Sequence, residues 1–144
     1  MGYAHTLIAV ADDCPVHESQ VPPGRSGAKT VARIHYELLF QNPGTLTQED
    51  VQFQTWLLRQ KDTDFAAPDP SGPEAARLRE QFFARPQACL RSSPLPKRYG
   101  WGLLFDGEGR ITLCPMESAE YKAIVAGAVP GLRVLKAFRS QRAE

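Results

Sequence analysis

The stretch Trp101-Gly102-Leu103-Leu104-Phe105-Asp106-Gly107-Glu108-Gly109-Arg110-Ile111-Thr112-Leu113-Cys114 sets two apolar runs on either side of a turn with two glycines. Such a pattern reads as a β-hairpin, with strands over residues 101–105 and 110–114. Working outward from it, residues 117–126 predict a helix begun by Glu117 or Ser118, with Tyr121, Ile124 and Val125 facing inward, and stopped by Gly127 and Pro130-Gly131. A last strand is expected over residues 132–138, running into a basic tail.

On the N-terminal side the hairpin is preceded by helix signals. Thr30 can cap a helix carrying Val31, Ile34, Leu38 and Leu39, although Ala32, Ile34, Tyr36, Leu38 and Phe40 also alternate as a strand would. The run is too long for a typical strand, and Asn42-Pro43-Gly44 supplies a stop, so helix is the reading adopted. Thr47 with Asp50 opens a second helix, bearing Val51, Phe53, Trp56, Leu57 and Leu58, and Glu49 and Asp50 complement its positive end. Ser71 with Glu74 opens a third, whose buried stripe is Leu78, Phe82 and Phe83 and whose end is marked by Pro86. A short buried strand is expected at residues 6–11, and the proline- and glycine-bearing residues 15–29 and 61–73 read as connections. The order strand, three helices, hairpin, helix, strand predicts an α+β fold: a small mixed or antiparallel sheet packed against about four helices, with residues 1–144 as one domain.

Bulk properties exclude several classes. Apolar residues make up 42% and charged residues 23%, far from the composition of disordered chains. The formal charge of +1 creates no global field toward nucleic acid or an anionic membrane. Apolar runs fall well short of the ~20 residues that cross a bilayer, and the first residues show no signal-peptide pattern, so a cytoplasmic location with no membrane partner is expected. Three cysteines, Cys14, Cys89 and Cys114, are too few for a disulfide scaffold and read as reduced thiols.

The region richest in binding chemistry is residues 81–105, which contain no acid but hold Arg85, Arg91, Lys97 and Arg98 beside Tyr99 and Trp101. Guanidinium groups fork onto carboxylate or phosphate, Ser92 and Ser93 add hydroxyls, and Gly100 and Gly102 would let a ligand approach the backbone. Arg91, Ser92, Lys97, Arg98, Tyr99 and Trp101 are therefore the candidate site for a small anionic ligand or a protein partner. The competing reading makes Tyr99 and Trp101 the start of the hairpin core and the basic groups ordinary surface. A reactive thiol at Cys14 or Cys89 is an alternative in which His17, His35 or Arg91 would lower the pKa. Cys14 and His17, with Cys89, His5 or His35, have a metal-like spacing, but one such pair without a second does not make a zinc site, and no metal or cofactor is assigned. Arg133, Lys136, Arg139 and Arg142 recur every third residue and raise a nucleic-acid contact through the tail, which the overall charge balance argues against.

Several segments together are familiar: Ala11-Asp12-Asp13-Cys14-Pro15-Val16, Val21-Pro22-Pro23, Lys29-Thr30-Val31-Ala32, Tyr36-Glu37-Leu38, Glu117-Ser118-Ala119-Glu120-Tyr121 and Lys136-Ala137-Phe138-Arg139-Ser140. Most distinctive is Cys89-Leu90-Arg91-Ser92-Ser93-Pro94-Leu95-Pro96-Lys97-Arg98-Tyr99-Gly100-Trp101-Gly102. Over nearly the whole chain these resemble a bacterial family of small proteins classed as a domain of unknown function. The resemblance implies a bacterial, cytoplasmic origin and directs attention to residues 89–102. It brings no catalytic residue with it.

Overall fold

The computed structural model describes residues 3–24, 30–59 and 72–140. Its centre is a four-stranded mixed sheet of β1 (Thr6–Ala9), β2 (Trp101–Phe105), β3 (Ile111–Pro115) and β4 (Arg133–Lys136), in the order β3-β2-β1-β4. The expected hairpin is present, with Trp101 opposite Pro115 and Phe105 opposite Ile111. Its turn is held by one side chain: Asp106 Oδ1 accepts from the backbone N–H groups of Glu108 and Arg110, both at 2.9 Å. Those two N–H groups keep the Asp106 carboxyl below its ordinary value, and Gly109 takes the positive φ of 79° that the turn requires.

β1 pairs antiparallel with β2 and parallel with β4, and all four of its residues are buried. An unbroken apolar run is what a strand covered on both faces needs. On one face Ile8, Leu103, Phe105 and Ile111 meet Tyr36, Leu39 and Val51 from the helices, together with Leu90 and Leu95. On the other, Leu7, Ala9 and Cys114 meet Ile124, with Tyr121 and Leu132 at the margin.

The helices start where their caps place them. α1 (Val31–Gln41) is capped by Thr30, whose Oγ1 accepts from Arg33 N at 3.2 Å, and its buried Ala32, His35, Tyr36 and Leu39 form one helical face. α2 (Gln48–Arg59) begins with a reciprocal box: Thr47 N donates to Asp50 Oδ2 at 3.0 Å and Asp50 N to Thr47 Oγ1 at 3.3 Å. The loop between them lies along β3, with Gly44 N bonded to Ile111 O and Ile111 N to Leu46 O, so this sheet edge is partly covered. α4 (Ala119–Val125) is capped by Ser118, which accepts from Tyr121 N at 3.1 Å.

Four expectations need correction. α3 (Pro73–Phe83) uses Gly72 as its N-cap residue, with Pro73 as its first residue; Ser71 lies outside the described residues. Its Leu78, Phe82 and Phe83 are half-buried and only Ala75 is fully enclosed, because α3 packs on the flank of α2 and not on the sheet. Val125 does not face inward but is 49% exposed, since α4 is short and covers only part of its face of the sheet. The last strand is confined to Arg133–Lys136, where both end residues are exposed at the sheet edge.

Candidate functional site

Residues 89–102 thread through the middle of the molecule. Leu90–Ser92 form a turn of 3-10 helix and Leu95–Tyr99 a turn of π-helix. Leu90 and Leu95 are buried in the core. The backbone is tied on every side: Leu90 N donates to Gln48 Oε1 at 3.0 Å, Ala11 N to Pro96 O at 2.9 Å, Gln20 N to Tyr99 O at 2.8 Å and Met116 N to Gly100 O at 3.0 Å.

The six candidate residues take different places within this frame. Arg91 faces the end of β4: its Nε donates to Lys136 O at 2.7 Å, its guanidinium lies 4.5 Å from the centre of the Phe138 ring, and its own carbonyl accepts from Phe138 N at 2.9 Å. That covers the outward carbonyl of an edge strand. Trp101 is buried, because strand alternation sends it with Leu103 and Phe105 toward α1; its ring lies 5.4 Å from that of Tyr36 and its Nε1 donates to Gln20 O at 2.8 Å. Tyr99 is half-buried against the same core. Ser92 and Arg98 are exposed and Lys97 is half-buried, and among the described residues neither Lys97 nor Arg98 has an ion-pair partner.

The glycines are filled from within. A Cβ on Gly100, which has φ of 78°, would stand 2.8 Å from Glu18 O, and one on Gly102 would stand 2.9 Å from the Tyr121 ring. The close approach they permit is that of the protein's own backbone and ring.

Arg98 lines an open hollow of about 330 Å³ together with Asp13, Pro15 and Ser140. Residues 12–13 and 136–140 meet here. Ser140 N donates to both carboxylate oxygens of Asp13 at 2.9 and 3.2 Å, while Asp12 takes Lys136 Nζ at 2.6 Å and lies 3.5 Å from Arg139. The Lys136 hydrogen bond is the largest influence holding the Asp12 carboxyl below its ordinary value. Lys136 and Arg139 thus serve an internal contact, Arg133 is exposed on β4, and Arg142 lies outside the described residues.

The thiols and histidines differ in their surroundings. Cys114 is buried, and burial pushes its thiol up to about 11. Cys89 is half-buried beside Tyr3, whose hydroxyl is raised first by burial and then by its hydrogen bond with Cys89. Cys14 is half-buried and His17 exposed. His35 is enclosed in the core with its Nδ1 2.8 Å from Ser93 Oγ, and burial lowers its pKa to about 4. Among the described residues, no group of three His, Cys, Asp or Glu side chains could hold a metal ion.

A family model described as a family of unknown function, DUF6157, matches residues 1–143. The chain belongs to the DUF6157 family. No curated protein and no solved structure matches it. The distinctive segment of this DUF6157 chain, residues 89–102, is therefore the one that joins β2, β4, α1, α2 and both terminal regions. The Ser93–His35 pair escaped sequence reasoning because its members lie 58 positions apart. No helix among the described residues of the DUF6157 chain is long and apolar enough to cross a membrane.

Proposed function

We propose that this chain is a binding module that accepts a small monoanion, a carboxylate in particular, in the hollow beside Arg98. The observation that carries the reading is the position of Arg98 itself: it is a guanidinium at an open hollow, without an acid partner among the described residues. Its forked donors suit a carboxylate, and the Ser140 hydroxyl in the same wall adds a further donor. Asp13 in the wall disfavours a multiply charged ligand, so a monocarboxylate fits better than a phosphate dianion. The serine–histidine pair at Ser93 and His35 is closed inside the core and offers a substrate no access. Free thiols at Cys14, Cys89 and Cys114 accord with a cytoplasmic setting.

Titration with acetate and with inorganic phosphate, followed by NMR, tests this. Acetate is expected to shift the signals of Arg98 and Ser140 saturably and more strongly than phosphate, and Arg98→Gln to weaken that response about tenfold while thermal unfolding stays within about 0.5 kcal/mol. A response unchanged in Arg98→Gln overturns the proposal.

A further inference from the structure

The two edges of the sheet are finished differently. β3 is flanked by the loop that bonds Gly44 to Ile111 and Ile111 to Leu46, whereas β4 has β1 on one side and no strand on the other. Arg133 N donates to His5 O and Ala137 N to Ala9 O, so Arg133, Leu135 and Ala137 turn their backbone groups toward β1. Val134 and Lys136 turn theirs outward. Arg91 closes one end through Lys136 O and Phe138 N. That leaves Val134 N–H, Val134 C=O and Lys136 N–H without a partner among the described residues. Arg133, Val134 and Lys136 are exposed along this stretch.

The side chains beside these open groups carry one sign of charge. The parallel register places Arg133 and Leu135 on the face of Thr6 and Ile8, and Val134 on the face of Leu7. Neither Arg133 nor Arg91 has a carboxylate partner among the described residues. The charges of both act on one group, the Tyr3 hydroxyl, against the burial that raises its pKa. Lys136 differs, being answered by Asp12 at 2.6 Å.

We propose that β4 is a docking edge for an extended acidic peptide, which adds to the sheet as a further strand with its carboxylates toward Arg133 and Arg91 and an apolar residue beside Val134. Main-chain bonds to Val134 and Lys136 would hold any extended chain, and charge chooses among them. A second copy of this protein would set one basic strand against another, with like charges opposed. The edge shares no residue with the hollow at Arg98.

The probe is a short capped peptide alternating valine with glutamate, and its counterpart alternates valine with lysine. In NMR the glutamate peptide is expected to shift the Val134 and Lys136 amide signals saturably and to slow their hydrogen exchange. The lysine peptide should bind about tenfold more weakly, and Arg133→Glu should remove that preference. Val134→Pro deletes an outward N–H without touching a bond to β1, and should weaken the glutamate peptide about tenfold. Slow exchange at Ala137, which is bonded to β1, shows that the strand stays in place in that variant, and Arg133→Glu decides if it does not. Arg98→Gln should leave peptide binding unchanged, which separates this edge from the site proposed above. Equal binding of the two peptides, a preference undiminished in Arg133→Glu, or a response that follows Arg98 overturns the inference. Protection of Val134 that grows with protein concentration in the absence of peptide would assign the edge to a second copy and overturns it as well.

Discussion

Nδ1 of His35 lies 2.8 Å from Oγ of Ser93, and both side chains are buried. Ser93 Oγ also accepts from Leu95 N at 3.3 Å, at the start of the π-helical turn. A neutral imidazole on α1 is thereby joined to the segment that carries Lys97 and Arg98. Placing a second charge-bearing proton on that ring would put an ion where no carboxylate answers it, which is why burial alone lowers the His35 pKa to about 4.

That shift fixes a pH dependence of folding. The ordinary value, 6.5, stands for the unfolded chain, and the folded value is lower, so the unfolded state binds the proton first as pH falls. The contribution of neutral His35 is complete above the unfolded value and is lost progressively from there toward about pH 4. Between about pH 7.5 and pH 5 the stability from denaturant melts should drop by about 2 kcal/mol, and His35→Gln should flatten that slope. A wild-type profile that is flat across this window contradicts the assignment.

Arg91 and Arg98 separate in the same kind of measurement. Arg91 donates to Lys136 O through its Nε and lies over the Phe138 ring, so Arg91→Ala should cost about 1–2 kcal/mol and speed hydrogen exchange at residues 133–138. Arg98→Ala should change neither by a measurable amount. Equal effects of the two substitutions would show that the strand edge does not depend on Arg91.

Thr55 on α2 is buried, and its Oγ1 has no hydrogen-bond partner among the described residues. Valine has the same branched shape without the hydroxyl. Thr55→Val should raise stability by about 1 kcal/mol in chemical denaturation, and a loss of stability would mean that the hydroxyl is satisfied in solution.

Local chemistry made much of this fold legible. Asp106 and Gly109 mark a turn that needs nothing beyond its own residues, and Thr30, Thr47 and Ser118 bond to backbone groups three positions on. The sheet order was not legible, because β4 joins β1 across more than a hundred intervening residues. The same holds for the candidate site. Arg91, Lys97 and Arg98 are near in sequence, but Arg91 turns to β4 through a carbonyl 45 positions away while Arg98 shares a hollow with Asp13, Pro15 and Ser140. The inward position of Trp101 was available from its alternation with Leu103 and Phe105.

Gly102 tests the view that residues 89–102 are held by packing from both faces of β2. A Cβ there would meet the Tyr121 ring at 2.9 Å, the Cys114 carbonyl oxygen at 3.0 Å and Leu7 Cδ1 at 3.1 Å. One of the three is backbone of the neighbouring strand and cannot withdraw without opening the hairpin. Gly102→Ala should therefore destabilise the protein by about 2 kcal/mol, although alanine ordinarily suits a strand better than glycine. A Gly102→Ala protein as stable as the wild type would show that the close approach of α4 to β2 is not needed for folding.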